Sequence, residues 1–307
     1  MDTGCNVYAV VDRRQFLLAL AAAPAALSYE PLAYVTADTE AHVVVVGMTS
    51  GRVYRRIPTL PSPFSIERVG DTAVVAHTVS GRVTVLGRHV VEGFGEPRYT
   101  AAAHDGRHAF VSDSGHAELV ALDVIRGEIV GRVKLSQWPR HVSLARDGRT
   151  LWVSLGTAAD AIAVVDVSDP RRPLHLGRLR PPFLAHDVGF APSGRAWITS
   201  GEERAIAVHG GPVLPADGAP QHVTFLGDRA YVTSGADGTL RVYHEPTARL
   251  LSATRVPVGS YNVQFAAGRI LTPSLDEGTL CVLDAAGRVR ERVHVAPSSH
   301  DACLARS

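Results

Sequence analysis

Tyr231-Val232-Thr233-Ser234-Gly235-Ala236-Asp237-Gly238-Thr239-Leu240-Arg241-Val242-Tyr243 carries the pattern that decides the fold. A β-branched, aromatic run ends in hydroxyl residues, a Gly/Asp turn follows, and a second run of the same kind begins. Such runs favour strands, and Asp-Gly between them favours a tight reversal. The first run, with Ala230 before it, has six further copies: Ala33-Tyr34-Val35-Thr36, Ala73-Val74-Val75-Ala76, Ala109-Phe110-Val111-Ser112, Leu151-Trp152-Val153-Ser154, Ala196-Trp197-Ile198-Thr199 and Ile270-Leu271-Thr272-Pro273. Their starts lie 34 to 45 residues apart. A third apolar segment (128–135, 174–179, 250–256 and 289–295) and a fourth (141–145, 187–191, 222–226 and 262–266) complete each unit. Turns such as Arg146-Asp147-Gly148-Arg149 close the fourth segment onto the next copy.

Four short strands per repeat of about forty residues, without helical periodicity, predict an all-β fold, a seven-bladed β-propeller of four-stranded blades. One blade cannot bury both of its faces, whereas a ring of blades can. Tyr34, Phe110, Trp152, Trp197 and Tyr231 then read as packing between blades. The chain begins its repeats at a second strand and ends on His300-Asp301-Ala302-Cys303-Leu304-Ala305, a first strand with no second after it. Pairing of the N- and C-terminal segments would therefore close the ring, with the propeller spanning 31–307.

The segment 1–30 reads differently. Arg13-Arg14 precedes Phe16-Leu17-Leu18 and an Ala-rich run ending in small residues, the outline of a twin-arginine export signal. The expectation is an exported protein, periplasmic or secreted; a segment that is not a signal would leave it in the cytoplasm. The apolar run falls short of the roughly twenty residues a membrane span needs, so no permanent span is expected. Lys+Arg is 31 against Asp+Glu 30, and this balance argues against a general nucleic-acid binder. Cys281 and Cys303 lie in apolar runs and read as buried, inert thiols.

The 231–243 stretch, together with Ala33-Tyr34-Val35-Thr36-Ala37 and Pro139-Arg140-His141-Val142 ahead of Asp147-Gly148, resembles the YVTN-repeat (YncE-like) family of seven-bladed propellers. The resemblance covers nearly all of the chain after residue 30. It implies the fold and leaves the activity open, since relatives include binding proteins, lactonases and a lyase.

Aligning the repeats places one polar residue per blade at the start of the innermost strand: Ser65, Tyr99, His141, Asp187, His222, Asn262 and Asp301. The preceding column is Phe64, Arg98, Arg140, His186, Gln221, Tyr261 and His300. Which column faces the channel turns on a one-residue register. A mixed His/Asp/Arg ring suits a metal, a carboxylate or a phosphate. The expected ligand-binding set is Arg98, Tyr99, Arg140, His141, His186, Asp187, His222, Tyr261, Asn262, His300 and Asp301. The primary reading is a rigid platform that engages a small molecule or a partner protein at the channel mouth. Two enzymes are the alternatives. Arg140 and His141 would serve a lactonase-like hydrolase, whose segment Pro139-Arg140-His141 resembles. However, Leu155-Gly156-Thr157 stands where that family carries an acid. A divalent metal on two or three of His186, His222 and His300, with Asp187 or Asp301, would serve a lyase by polarising a carbonyl.

Overall fold

The computed structural model describes residues 30–156 and 160–305. The leader-like segment up to residue 29 lies outside the described residues. Twenty-eight strands, β1 to β28 in chain order, form seven antiparallel four-stranded sheets among them. The innermost strands of six blades are β4 (Ser65–Val69), β8 (Pro97–Ala102), β12 (Pro139–Leu144), β16 (Asp187–Phe190), β20 (Pro220–Leu226) and β24 (Gln264–Ala266). The seventh is β28 (Ala302–Leu304), which pairs with β1 (Leu32–Ala37) through Ala33↔Leu304, Tyr34↔Cys303 and Val35↔Ala302. Each innermost strand abuts the next, and β28 touches both β24 and β4, so the ring is closed by both chain ends.

Each copy of the repeated motif lies on a second strand, as in β9 (His108–Asp113), β13 (Thr150–Leu155), β17 (Ala196–Thr199) and β21 (Arg229–Ser234). Its hydroxyl links neighbouring blades. Ser112, Ser154, Thr199 and Thr233 donate to the carbonyls of Arg140, His186, Gln221 and Tyr261 in the following blade, at 2.6 to 2.8 Å. Blade two carries Ala76 at this position; there Ser65 donates to the equivalent carbonyl, that of Arg98. A buried carbonyl without a donor is costly, which explains why a hydroxyl recurs inside an otherwise apolar run. Aromatics fill the space between blades: Trp152 meets Phe190 edge-on at 5.1 Å, and Trp197 meets Phe225 at 6.2 Å and Tyr243 at 5.8 Å. Cys281 and Cys303 are buried free thiols; burial pushes Cys281 up to about 11 and Cys303 well above its usual value. Among the described residues, no helix is long and apolar enough to cross a membrane.

The innermost strands enclose a cavity of about 320 Å³. Its lining includes all seven residues of the first column together with Glu67 and Gln264 farther along the channel. Burial, and then the charge of Asp301, push the Glu67 carboxyl up to about 8, while burial raises Asp301 to about 7. A carboxyl raised in the folded state favours folding fully below its unfolded value, and that contribution is lost as pH climbs through the folded one. For Glu67 the window runs from about 4.5 to about 8. Glu67→Gln should therefore be more stable than the wild type at pH 9, by about 2 kcal/mol after allowance for water in the channel, and should differ little near pH 4. Melting curves at the two pH values check this; equal gains at both would refute the linkage.

Candidate functional site

Pro97, Pro139 and Pro220 begin innermost strands whose pairing register shifts just after them. In blade four, Pro139 faces Leu155 and Val142 faces Val153, so Arg140 and His141 together oppose the single residue Ser154. A bulge of this kind re-aims side chains that would otherwise alternate. His186 precedes β16 and is free of strand alternation. For these reasons His186, of the second column, meets His141 and His222 of the first, with ring centroids 4.7 and 5.7 Å away.

The centre of the mouth is a cluster of imidazoles from three consecutive blades. His141, His186 and His222 are 2%, 7% and 6% exposed. One ring nitrogen from each falls within 4.8 Å of the others. His141 Nε2 lies 3.0 Å from His222 Nε2. Ser154 ties the group to the scaffold, accepting from the His141 amide at 3.1 Å and donating to the His186 carbonyl at 2.8 Å. Gly201, at φ +75°, leaves the space His186 needs; a Cβ there would sit 2.9 Å from His186 Nδ1. The His186 Nε2 atom is buried and has no hydrogen-bond partner among the described residues.

The tautomers follow from the partners. His141 Nδ1 lies 2.8 Å from the His186 carbonyl, so Nδ1 carries the proton and Nε2 presents a lone pair. His222 Nδ1 faces Asp187 Oδ2 at 3.4 Å, which favours a proton on that nitrogen and again leaves Nε2 as a lone pair. With both rings in these tautomers, two acceptors face each other at 3.0 Å and call for a cation between them, either a proton or a metal. Burial, reinforced by His222, His186 and Arg140, holds His141 well below the usual imidazole range. Burial, Arg140 and the neighbouring imidazoles do the same to His186. These effects disfavour an added proton on His141 and on His186. Two imidazoles on tetrahedral Zn²⁺ have nitrogens about 3.3 Å apart, close to the spacing here. The donor set fits a metal: three neutral nitrogens, with a carboxylate and a backbone carbonyl behind two of them.

The other sequence-derived residues divide into neighbours and bystanders. The Tyr99 ring packs tilted against His141 with centroids 3.7 Å apart, and burial pushes its hydroxyl well above the usual value. His300 does not join the imidazoles with which it was grouped as a metal ligand. It stacks on Phe64 at 4.0 Å with Nδ1 on the Phe64 carbonyl at 2.9 Å, and burial takes it down to about 3. His141, from the other column, joins His186 and His222 instead. The Asp301 carboxylate accepts from the amides of Ile66 and Ala302 at 2.9 and 2.8 Å and works in ring closure. Asp187 similarly accepts from Val188 at 2.7 Å and Val223 at 3.3 Å, while also facing His222. Asn262 Oδ1 is buried in the channel without a partner among the described residues. The Tyr261 ring packs over Gly235, where a Cβ would lie 2.1 Å from it. Arg98 stacks on Trp138 at 4.1 Å and bonds Ser114 at 2.8 Å. Arg140 is half-buried beside them. A second group with ligating side chains, Asp113, His116 and Glu118, is already occupied by protein. Asp113 accepts from the Gly95 and Glu96 amides, and Glu118 pairs with Arg132 and Lys134.

No protein-family model matches the chain, and no curated protein matches it. Solved structures do. A protein of unknown function from Desulfotomaculum acetoxidans superposes with a TM-score of 0.75 at 10% identity, over 90% of this chain and 99% of that one. Hydrazine synthase of Kuenenia stuttgartiensis gives 0.71 at 16% identity, over 83% of this chain and 92% of that one. Apo AztD from Citrobacter koseri gives 0.68 at 12% identity, over 90% and 98%. At these identities the likeness establishes the seven-bladed propeller architecture and nothing finer.

Proposed function

We propose that this propeller is a metal-binding protein that holds one divalent first-row transition ion, zinc by ligand type, on His141, His186 and His222 at the channel mouth. The observation that carries the reading is the convergence of three buried imidazoles, with His141 Nε2 and His222 Nε2 3.0 Å apart and the orphaned His186 Nε2 beside them. Three imidazoles leave a fourth position open, as in zinc sites that bind a further ligand. The chain thus acts as a rigid platform with its ligand in the mouth. The YVTN-like repeat and the leader bearing Arg13-Arg14 are in keeping with an exported binding propeller. A bound ion would make the fourth ligand more acidic and polarise a carbonyl.

Titration of metal-free full-length protein with Co²⁺ is expected to give one equivalent bound, with the intense visible bands of a four-coordinate ion, and Zn²⁺ should displace it. Folded protein that takes up no Co²⁺ or Zn²⁺ at micromolar concentrations would overturn the reading.

A further inference from the structure

Three neutral imidazoles do nothing to balance a divalent charge, and the surroundings do not make up the difference. The nearest carboxylate, Asp187, already serves two backbone amides. Arg140 adds a further positive charge, and its field reaches His141, His186 and His300. Its neighbour Arg98 is engaged by Ser114, Glu96 and the Trp138 ring. The Arg140 guanidinium makes no hydrogen bond or ion pair among the described residues and lies 6.0 Å from the Trp138 ring centre. Residues 157–159, outside the description, include no acid. A half-buried guanidinium with no hydrogen-bonded partner, in the field of Glu202 and near the Trp138 ring, has its donors free for an anion that also meets the buried cluster suited to a cation.

We infer that the site is built for a metal ion and a small oxyanion together: the anion takes the open coordination position and pairs with the Arg140 guanidinium. The geometry that carries this is the bulge, which seats Arg140 and His141 side by side opposite Ser154. Carboxylate and phosphate share the required chemistry, since each accepts a bidentate guanidinium and leaves an oxygen for a metal. The inference rests on the metal site proposed above.

The test uses Co²⁺-loaded full-length protein in anion-poor buffer, titrated separately with acetate and inorganic phosphate. A saturable change in the visible bands is expected for at least one of them, and the one that binds more tightly names the class. Arg140→Gln should weaken that anion about tenfold or more. In the same anion-poor buffer it should bind Co²⁺ at least as tightly as the wild type, because a like charge has gone. Metal that binds while neither anion perturbs the bands would overturn the anion inference and leave the metal site standing. An Arg140→Gln protein with unchanged anion affinity would do the same. Protein that binds no metal would remove both.

Discussion

A chain ending at His300 is expected to lose its cooperative thermal transition, or to melt far below the full-length protein. The residues removed are few, but they form the innermost strand of the first blade. Ala302, Cys303 and Ala305 are 0%, 5% and 3% exposed. Thr36 donates its amide to Asp301 at 2.9 Å, and Ala305 donates to Leu32 at 2.8 Å. The Asp301 carboxylate reaches across to the Ile66 amide in the second blade. Lost apolar burial is worth about 4 kcal/mol, and the stranded backbone groups cost about as much again. Together these approach the whole stability of an ordinary domain, about 5–15 kcal/mol. The cut also exposes the edge of β1 and the flank of β4, which invites association. Circular dichroism melts of the two chains decide the matter. A cooperative transition within a few degrees of the full-length value would mean that the terminal clasp does not hold the ring.

The architecture was legible because the repeat is dense in information. Seven motif copies at similar spacing fixed blade number, and the unpaired ends at Ala33 and Leu304 fixed how the ring closes. The reason for the motif's final hydroxyl was not legible. It lies in a neighbouring blade, where Ser154 meets the His186 carbonyl across 32 residues. The site was half legible. Alignment found the column from Ser65 to Asp301, and that column lines the channel. Alternation along a strand made adjacent residues look mutually exclusive. Two local features break that rule: the bulges after Pro139 and Pro220, and the position of His186 ahead of its strand. The Pro-x-His spacing was the available signal for the first, because proline disrupts regular pairing. Nothing in the sequence separated His141 from His300 as a partner for His186 and His222. Contacts to Phe64 and Tyr99 make that choice, and they come from other blades.

The histidine set makes the second large prediction. His222→Ala should lower Co²⁺ or Zn²⁺ affinity by about a thousandfold, because two imidazoles in a buried site cannot replace the desolvated water of the ion. His141→Ala should do the same. Asp187→Asn keeps all three ligands and should lose about 10- to 100-fold, since the amide no longer draws the His222 proton onto Nδ1 and Nε2 becomes a poorer donor. His300→Ala, whose ring sits on Phe64, should bind metal within about threefold of the wild type, the spread expected from context alone. The ordering separates a coordination site from a merely polar channel mouth. In a hydrated mouth the four variants would shift affinity alike and weakly. In a three-imidazole site the losses fall in the order His222 and His141, then Asp187, then His300. Competition against a chromophoric chelator measures all four, with circular dichroism confirming that each variant keeps the fold. A His300→Ala loss as large as that of His222→Ala would return His300 to the ligand set and displace His141 from it.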